Sequence, residues 1–197
     1  MKIHLASSNP GKLREYRELA AGSPLQIELL PSIREFPPFD ESAPTFAENA
    51  LGKALHYCRF TREVVLADDS GLVVPAFGGA PGVRSARYAG PDATDRENLN
   101  KLLREMEGKQ GDERRARFVC VIAIARQVRA LVVASDFAEG FIAKEPRGVN
   151  GFGYDPIFYF SDTGRTFAEL PSDEKNRQSH RGKAFRKAVE YLAPLNF

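Results

Sequence analysis

Cysteine is scarce: only two stand among 197 residues. Cys58 falls in a helical pattern and Cys120 lies inside the apolar run Phe118-Val119-Cys120-Val121-Ile122. Neither has metal-ligand spacing, and the pair reads as buried free thiols in a reducing compartment. An excess of one charge is also missing. Twenty-eight basic residues against 26 acidic ones leave a net charge of +2, so no global field draws nucleic acid. A polyanionic ligand must therefore be held by a local cluster of cations. No apolar run approaches the roughly 20 residues that span a bilayer. Met1–Ala6 turns polar at Ser7, too early for the apolar part of a secretory signal. The expectation is a cytoplasmic protein with neither a membrane nor a nucleic-acid partner.

What is there suits a soluble globular chain, at 43% hydrophobic and 27% charged residues. The length is enough for a substantial core, and with no repeat, low-complexity tract or obvious linker, residues 1–197 are read as one domain. The centre of interest is Val64-Val65-Leu66-Ala67-Asp68-Asp69-Ser70-Gly71-Leu72. A short apolar run predicts a buried strand that ends at two adjacent carboxylates and a Ser-Gly turn, with Leu72–Val74 returning as a second strand. Ligands of α/β sheets gather at the carboxyl ends of strands. Two neighbouring carboxylates repel, and a hard cation relieves the repulsion because carboxylate oxygens are the ligands Mg²⁺ prefers. The same residues also suit a turn whose carboxylates cap backbone N–H groups.

Residues 2–6 read as a first strand, followed by Ser7-Ser8-Asn9-Pro10-Gly11-Lys12 and a helix with Leu13, Tyr16, Leu19 and Ala20 on one side. Ser8 or Asn9 can cap it, with Pro10 in the first turn. Strand, polar loop and helix N-terminus can aim N–H groups at an anion, with Lys12 adding a full charge; an ordinary capped helix fits as well. Residues 26–30 predict a strand and Pro31–Pro44 a loop bearing Asp40 and Glu41. Thr45 and Glu48 form a capping box for a helix in which Asn49 and Lys53, four apart, share a face beside the apolar stripe. Lys53 there can reach a phosphate or simply be solvated. A second capping box, Thr94–Glu97, opens a helix with Leu99, Leu102, Leu103 and Met106 inward and Gly108 as its stop.

Asp112–Arg117 reads as a charged surface turn. Ala116–Ala125 and Arg129–Phe137 read as a hairpin turning at Arg126–Val128, with Ala138–Ala143 as a further strand. Gly148–Asp155 places three glycines around Phe152, which can stack on a flat ring or tuck into the core. Residues 157–160 predict a short strand. Ser179-His180-Arg181-Gly182 precedes a last helix with Ala184, Phe185, Ala188, Val189 and Leu192 inward.

Five signatures stand in order along the chain: Ser8-Asn9-Pro10-Gly11-Lys12, Thr45-Phe46-x-Glu48-Asn49-Ala50-x-x-Lys53-Ala54, Ala67-Asp68-Asp69-Ser70-Gly71-Leu72 with Gly78–Tyr88 beyond it, Gly151–Pro156, and Ser179–Gly182. Together they resemble the inosine triphosphate pyrophosphatase family, or XTP/dITP diphosphatases, over nearly the whole chain. The chain departs from the family at Ser7-Ser8, where a Thr-Gly pair is usual, and at Glu41-Ser42-Ala43, where Glu-Thr-Gly is common.

The resemblance implies a mixed α/β sheet with flanking helices and two lobes around a cleft, and a homodimer. It implies hydrolysis of ITP, dITP and XTP to the monophosphate and pyrophosphate. Lys12, Lys53 and the N–H groups of Ser7–Gly11 (Ser7, Ser8, Asn9, Pro10 and Gly11 as the binding loop) are assigned to the phosphates, with Ser70 close by. Mg²⁺, or Mn²⁺ in its place, is assigned to Asp69 with Asp40 or Glu41 and Asp68. Asp69 and Lys53 are the expected catalytic residues, Asp69 positioning or deprotonating water. Phe152 is expected to stack on the purine beside Gly153, Tyr154 and Asp155. Lys175, His180 and Arg181 are expected to donate to the 6-carbonyl that adenine lacks. A pyrimidine-preferring pyrophosphatase and a nucleotide- or RNA-binding module are the rival readings. The paired carboxylates, which repel phosphates unless a metal is present, speak against the binding module.

Overall fold

The structure, a computed structural model, describes residues 1–192. Seven strands form one mixed sheet in the order β2-β1-β3-β4-β5-β6-β7. β1 (Lys2–Leu5) runs parallel to β2 (Gln26–Leu29) and to β3 (Val64–Val73), whereas β5 (Arg129–Ile142), β6 (Phe158–Phe160) and β7 (Arg165–Thr166) pair antiparallel. β4 spans Arg115–Arg126, and the helices are α1 (Pro10–Ala20), α2 (Phe46–Tyr57), α3 (Asp95–Glu105), α4 (Ser172–Gln178) and α5 (His180–Leu192). This is the mixed α/β class that the sequence predicts.

The described residues divide into two compact units, one of residues 1–69, 120–136 and 181–192, the other of 70–119 and 137–180. In the first, Ile3, Leu5, Leu66, Ile122, Ile124 and Val132 pack with Tyr16 of α1 and Phe185 of α5. Ala6, Ala50, Ala54, Val65, Ala67, Val121 and Ala123 form a second cluster with α2. Residues 121–125 of β4 are all buried, so their alternating side chains supply both clusters, as an almost wholly apolar strand should. In the second unit, Leu99 and Leu102 of α3 and Met106 just beyond it pack with Phe118, Phe158 and Phe167.

Several elements differ from the sequence reading. β3 does not stop at the carboxylates: it runs ten residues, with Asp68, Asp69, Ser70 and Gly71 inside it. Leu72 and Val74 are fully buried and the Leu72 N–H donates to Ser85 Oγ at 2.9 Å, so the chain is drawn onward instead of turning back. Likewise β5 continues unbroken through Ala138 to Ile142. Asp112–Arg117 is a charged surface turn only at its start, where Asp112 and Glu113 are exposed; β4 begins at Arg115, and Arg114 is buried with its guanidinium donating to the carbonyls of Met106, Lys109, Ile142 and Ala143. Thr45 caps α2 as expected, but the Glu48 carboxylate accepts from the Thr45 hydroxyl at 2.6 Å. α4 and β7 are elements the sequence did not announce.

Candidate functional site

In the first unit, β1 delivers the chain into Ser7–Asn9, and Asn9 caps α1. Its Oδ1 accepts from the N–H groups of Gly11 (2.8 Å) and Lys12 (3.1 Å), while Ser7 Oγ accepts from Asn9 N–H (3.2 Å). Three of the donors near the helix start are thus taken by capping side chains, and Pro10 has none to give. The Lys12 ammonium instead lies 3.0 Å from Asp68 Oδ1.

Asp68 and Asp69 are adjacent on a strand, so their side chains leave on opposite faces. That separation, with no metal invoked, already weakens the repulsion argued from the sequence. Asp68 is fully buried among cations: Lys12 on one oxygen and Arg181 Nε at 3.3 Å on the other. Arg181 is itself 2% exposed and its Nη1 meets Glu15 at 2.5 Å, giving a buried chain Glu15–Arg181–Asp68–Lys12. Burial opposes ionisation of Asp68, but Lys12 and then Arg181 outweigh it and hold the carboxyl at about 2.

Asp69 meets different surroundings. Burial is the largest influence and raises its carboxyl to about 6, against the lowering effects of an Asn49 hydrogen bond and Lys12; Glu41 and Asp68 add to the rise. Asn49 Nδ2 donates to Asp69 Oδ2 at 2.9 Å and to Ala43 O at 3.2 Å, while its Oδ1 accepts from Ala43 N–H at 3.1 Å. Lys53, one turn along the same face of α2, pairs with Glu41. Burial works against the Lys53 ammonium, yet Glu41 prevails and its pKa stands above the ordinary value.

A divalent ion shared with phosphates asks for one or two protein carboxylates. Asp69 and Glu41, electrostatically coupled and both beside Lys53, fit that demand. Asp68 has both oxygens against cations, and exposed Asp40 accepts from the Ser42 hydroxyl at 2.7 Å. No group of three or more His, Cys, Asp or Glu that could hold a metal is found among the described residues, so phosphate oxygens would have to complete a shell.

In the second unit, Asp155 ties the Gly151–Asp155 loop into a ring. Its Oδ2 accepts from Phe152 N–H at 2.8 Å and meets Lys175 Nζ at 2.5 Å. Gly151 takes φ +77°, and a Cβ there would fall 2.0 Å from Asp155 Oδ2, so only glycine allows this closure. Phe152 is half-buried, with Lys175 Nζ 5.4 Å from its ring centroid. Half-buried Gly153 donates its N–H to Asp95 Oδ2 at 2.8 Å, and Ser70 is half-buried on β3. Tyr154 is a core residue whose hydroxyl donates to Ser85 O at 2.8 Å. His180 is buried, stacked on Phe118 at 4.6 Å and 8°.

The first unit therefore gathers Lys12, Lys53, Asn49, Glu41, Asp68, Asp69 and Arg181, and the second gathers Phe152, Asp155 and Lys175. Sequence reasoning missed Glu15, Ser85 and Asp95. Glu15 carried a findable signal, since it lies three residues after Lys12 and so on the same side of α1.

The first unit thus carries a cluster of lysines and carboxylates on a mixed α/β sheet, and the second an aromatic loop anchored by a buried ion pair. The chain belongs to the Ham1 family, whose model matches residues 3–191. It is 50% identical over 198 residues to a dITP/XTP pyrophosphatase of Desulforamulus reducens, covering 99% of this chain and 97% of that one. A dITP/XTP pyrophosphatase of Geobacillus kaustophilus is 47% identical over 189 residues, covering 96% and 93%. The solved HAM1 protein of Coxiella burnetii superposes with a TM-score of 0.86 at 43% identity, covering 98% of this chain and 99% of that one. The resemblance drawn from the five signatures is thus to a family the whole chain matches.

Proposed function

We propose that this chain hydrolyses non-standard purine nucleoside triphosphates (dITP, ITP and XTP) to the monophosphate and pyrophosphate. The observation that carries the proposal is Asp69: a buried carboxyl oriented by the Asn49 amide at 2.9 Å, beside the Lys53–Glu41 pair. A carboxylate held in place beside cations can take a proton from an attacking water. The kinship to dITP/XTP pyrophosphatases supplies the substrate class.

Lys12 and Lys53 neutralise the phosphate chain, which carries about four negative charges and otherwise repels a nucleophile. Asp69 takes a proton from water as the water oxygen bonds to the α-phosphorus. The bond from that phosphorus to the bridging oxygen breaks, its electron pair leaving with pyrophosphate. Mg²⁺, with Mn²⁺ as a substitute, is proposed on Asp69 and Glu41, where it would neutralise phosphate charge and make water more acidic. Asp68 is assigned to holding Lys12 and Arg181 in place, not to the metal. Phe152 stacks on the base, and Lys175, fixed by Asp155, donates toward its carbonyl edge; an adenine amino group there would face a donor. Arg181 acts through Asp68 and Glu15. No helix among the described residues is long and apolar enough to cross a membrane; a cytoplasmic setting and a homodimer complete the proposal from the family resemblance.

The test is pyrophosphate release from dITP, XTP and ITP against ATP, GTP, dTTP and UTP, with and without Mg²⁺. Release from the first three, dependent on Mg²⁺, is expected. A preference for dTTP or UTP, or nucleotide binding without turnover, would overturn the reading.

A further inference from the structure

The segment that bears Glu41 is fastened along one face of α2. Asn49, Gly52, Lys53 and His56 stand three, four and seven residues apart and so share that face. His56 Nε2 donates to Pro37 O at 2.7 Å, Lys53 pairs with Glu41, and Asn49 takes both the N–H and the carbonyl of Ala43. Phe36 stacks on Phe60, just past the helix, at 4.4 Å and 10°. Between these polar fastenings lies Phe39, half-buried against the α2 core cluster. Its ring occupies the space a side chain at position 52 would fill: a Cβ on Gly52 would stand 2.6 Å from Phe39 Cζ and 3.0 Å from Cε2. Glycine weakens a helix interior relative to alanine. Here the missing side chain makes the seat for a ring two residues from Glu41.

We propose that Phe39, seated on Gly52, is a positioning residue that sets where the Glu41 carboxylate stands beside Lys53 and Asp69. This rests on the polyphosphate reading of the site and deepens it. Polar links hold this segment at Pro37, Glu41 and Ala43, and the Phe39 ring adds a packing contact between the first two, seated on Gly52 and tilted against His56 at 5.8 Å and 49°. A side chain at position 52 evicts the ring, because two groups cannot share a close-packed volume.

The test uses Gly52→Ala, which strengthens helix propensity while displacing the ring, and Phe39→Ala, which leaves α2 untouched. In both, the Mg²⁺ concentration for half-maximal pyrophosphate release should rise about tenfold, with kcat at saturating Mg²⁺ within about twofold of the parent. A readout independent of turnover is trypsin cleavage after Arg34, an exposed residue of the same segment, in metal-free protein; it should accelerate at least several-fold. Gly52→Ala combined with Phe39→Leu, which shortens the intruded ring, should restore both values toward the parent. Unchanged half-activation together with unchanged cleavage in the single variants overturns the proposal. So does a fall in kcat that Phe39→Leu leaves unrepaired. Should the parent chain release no pyrophosphate from any of these nucleotides, the functional reading fails, while the cleavage series still decides whether Phe39 holds the segment.

Discussion

Asp69→Asn separates what this carboxyl does for stability from what it does for turnover. Asp69 is 6% exposed, and its folded value of about 6 lies above the ordinary 3.8. The sign follows from the protons bound. Between about pH 4 and 6 the native state holds a proton that the unfolded chain has lost, so this group favours folding below about pH 4 and that benefit disappears as pH rises through 6. Above pH 7 the buried charge opposes folding. At about 1.4 kcal/mol per tenfold, the rise from 3.8 to about 6 sets a ceiling of about 3 kcal/mol, and relaxation around the site leaves about 1–2 kcal/mol. Asparagine keeps an oxygen for Asn49 and removes the charge. For a chain of this length each kcal/mol moves Tm by about 2–4 °C, so metal-free Asp69→Asn should melt about 3–6 °C above the parent at pH 7.5. At pH 4 the gap should shrink to about 1 °C. Turnover at saturating Mg²⁺ should fall at least about a hundredfold. Calorimetry in chelator across this pH range is the assay. A lower Tm at pH 7.5, or a gain independent of pH, would show that the Asp69 charge does not oppose folding.

Other consequences are equally specific. Arg181→Ala leaves Asp68 and Glu15 buried without their shared cation and should cost about 3–5 kcal/mol in urea unfolding. Phe152→Ala should raise KM for dITP about tenfold or more by removing a stacked ring. Tyr154→Phe should cost about 1 kcal/mol of stability and leave KM unchanged, since its hydroxyl serves Ser85. Cys120, whose thiol burial pushes up to about 12, should resist iodoacetamide at pH 8 in the native protein and react in denaturant, as peptide mass would report.

Much of this was legible in the residues, and the rest was hidden for physical reasons. Thr94–Glu97 and Asn9 announced their helices because caps are local chemistry. Asn49 and Lys53 could be put on one face from their spacing alone. β3 was cut short because Asp, Ser and Gly are poor strand formers, while the burial of Leu72 and Val74 that overrides this is tertiary. α4 escaped because Ser172–Gln178 has no apolar stripe; it buries Lys175 and Asn176 instead. The ion pairs of Arg181 are hidden for a related reason: its partners Glu15 and Asp68 lie 166 and 113 residues away in sequence, beyond the reach of any local pattern.

In the proposed reaction water, deprotonated at Asp69, attacks the α-phosphorus. Hydrolysis of dITP in ¹⁸O-water, with both products analysed by mass spectrometry, reports which phosphorus is attacked. One ¹⁸O atom is expected in the nucleoside monophosphate and none in the pyrophosphate. Label in the pyrophosphate, or release of labelled orthophosphate, would contradict it.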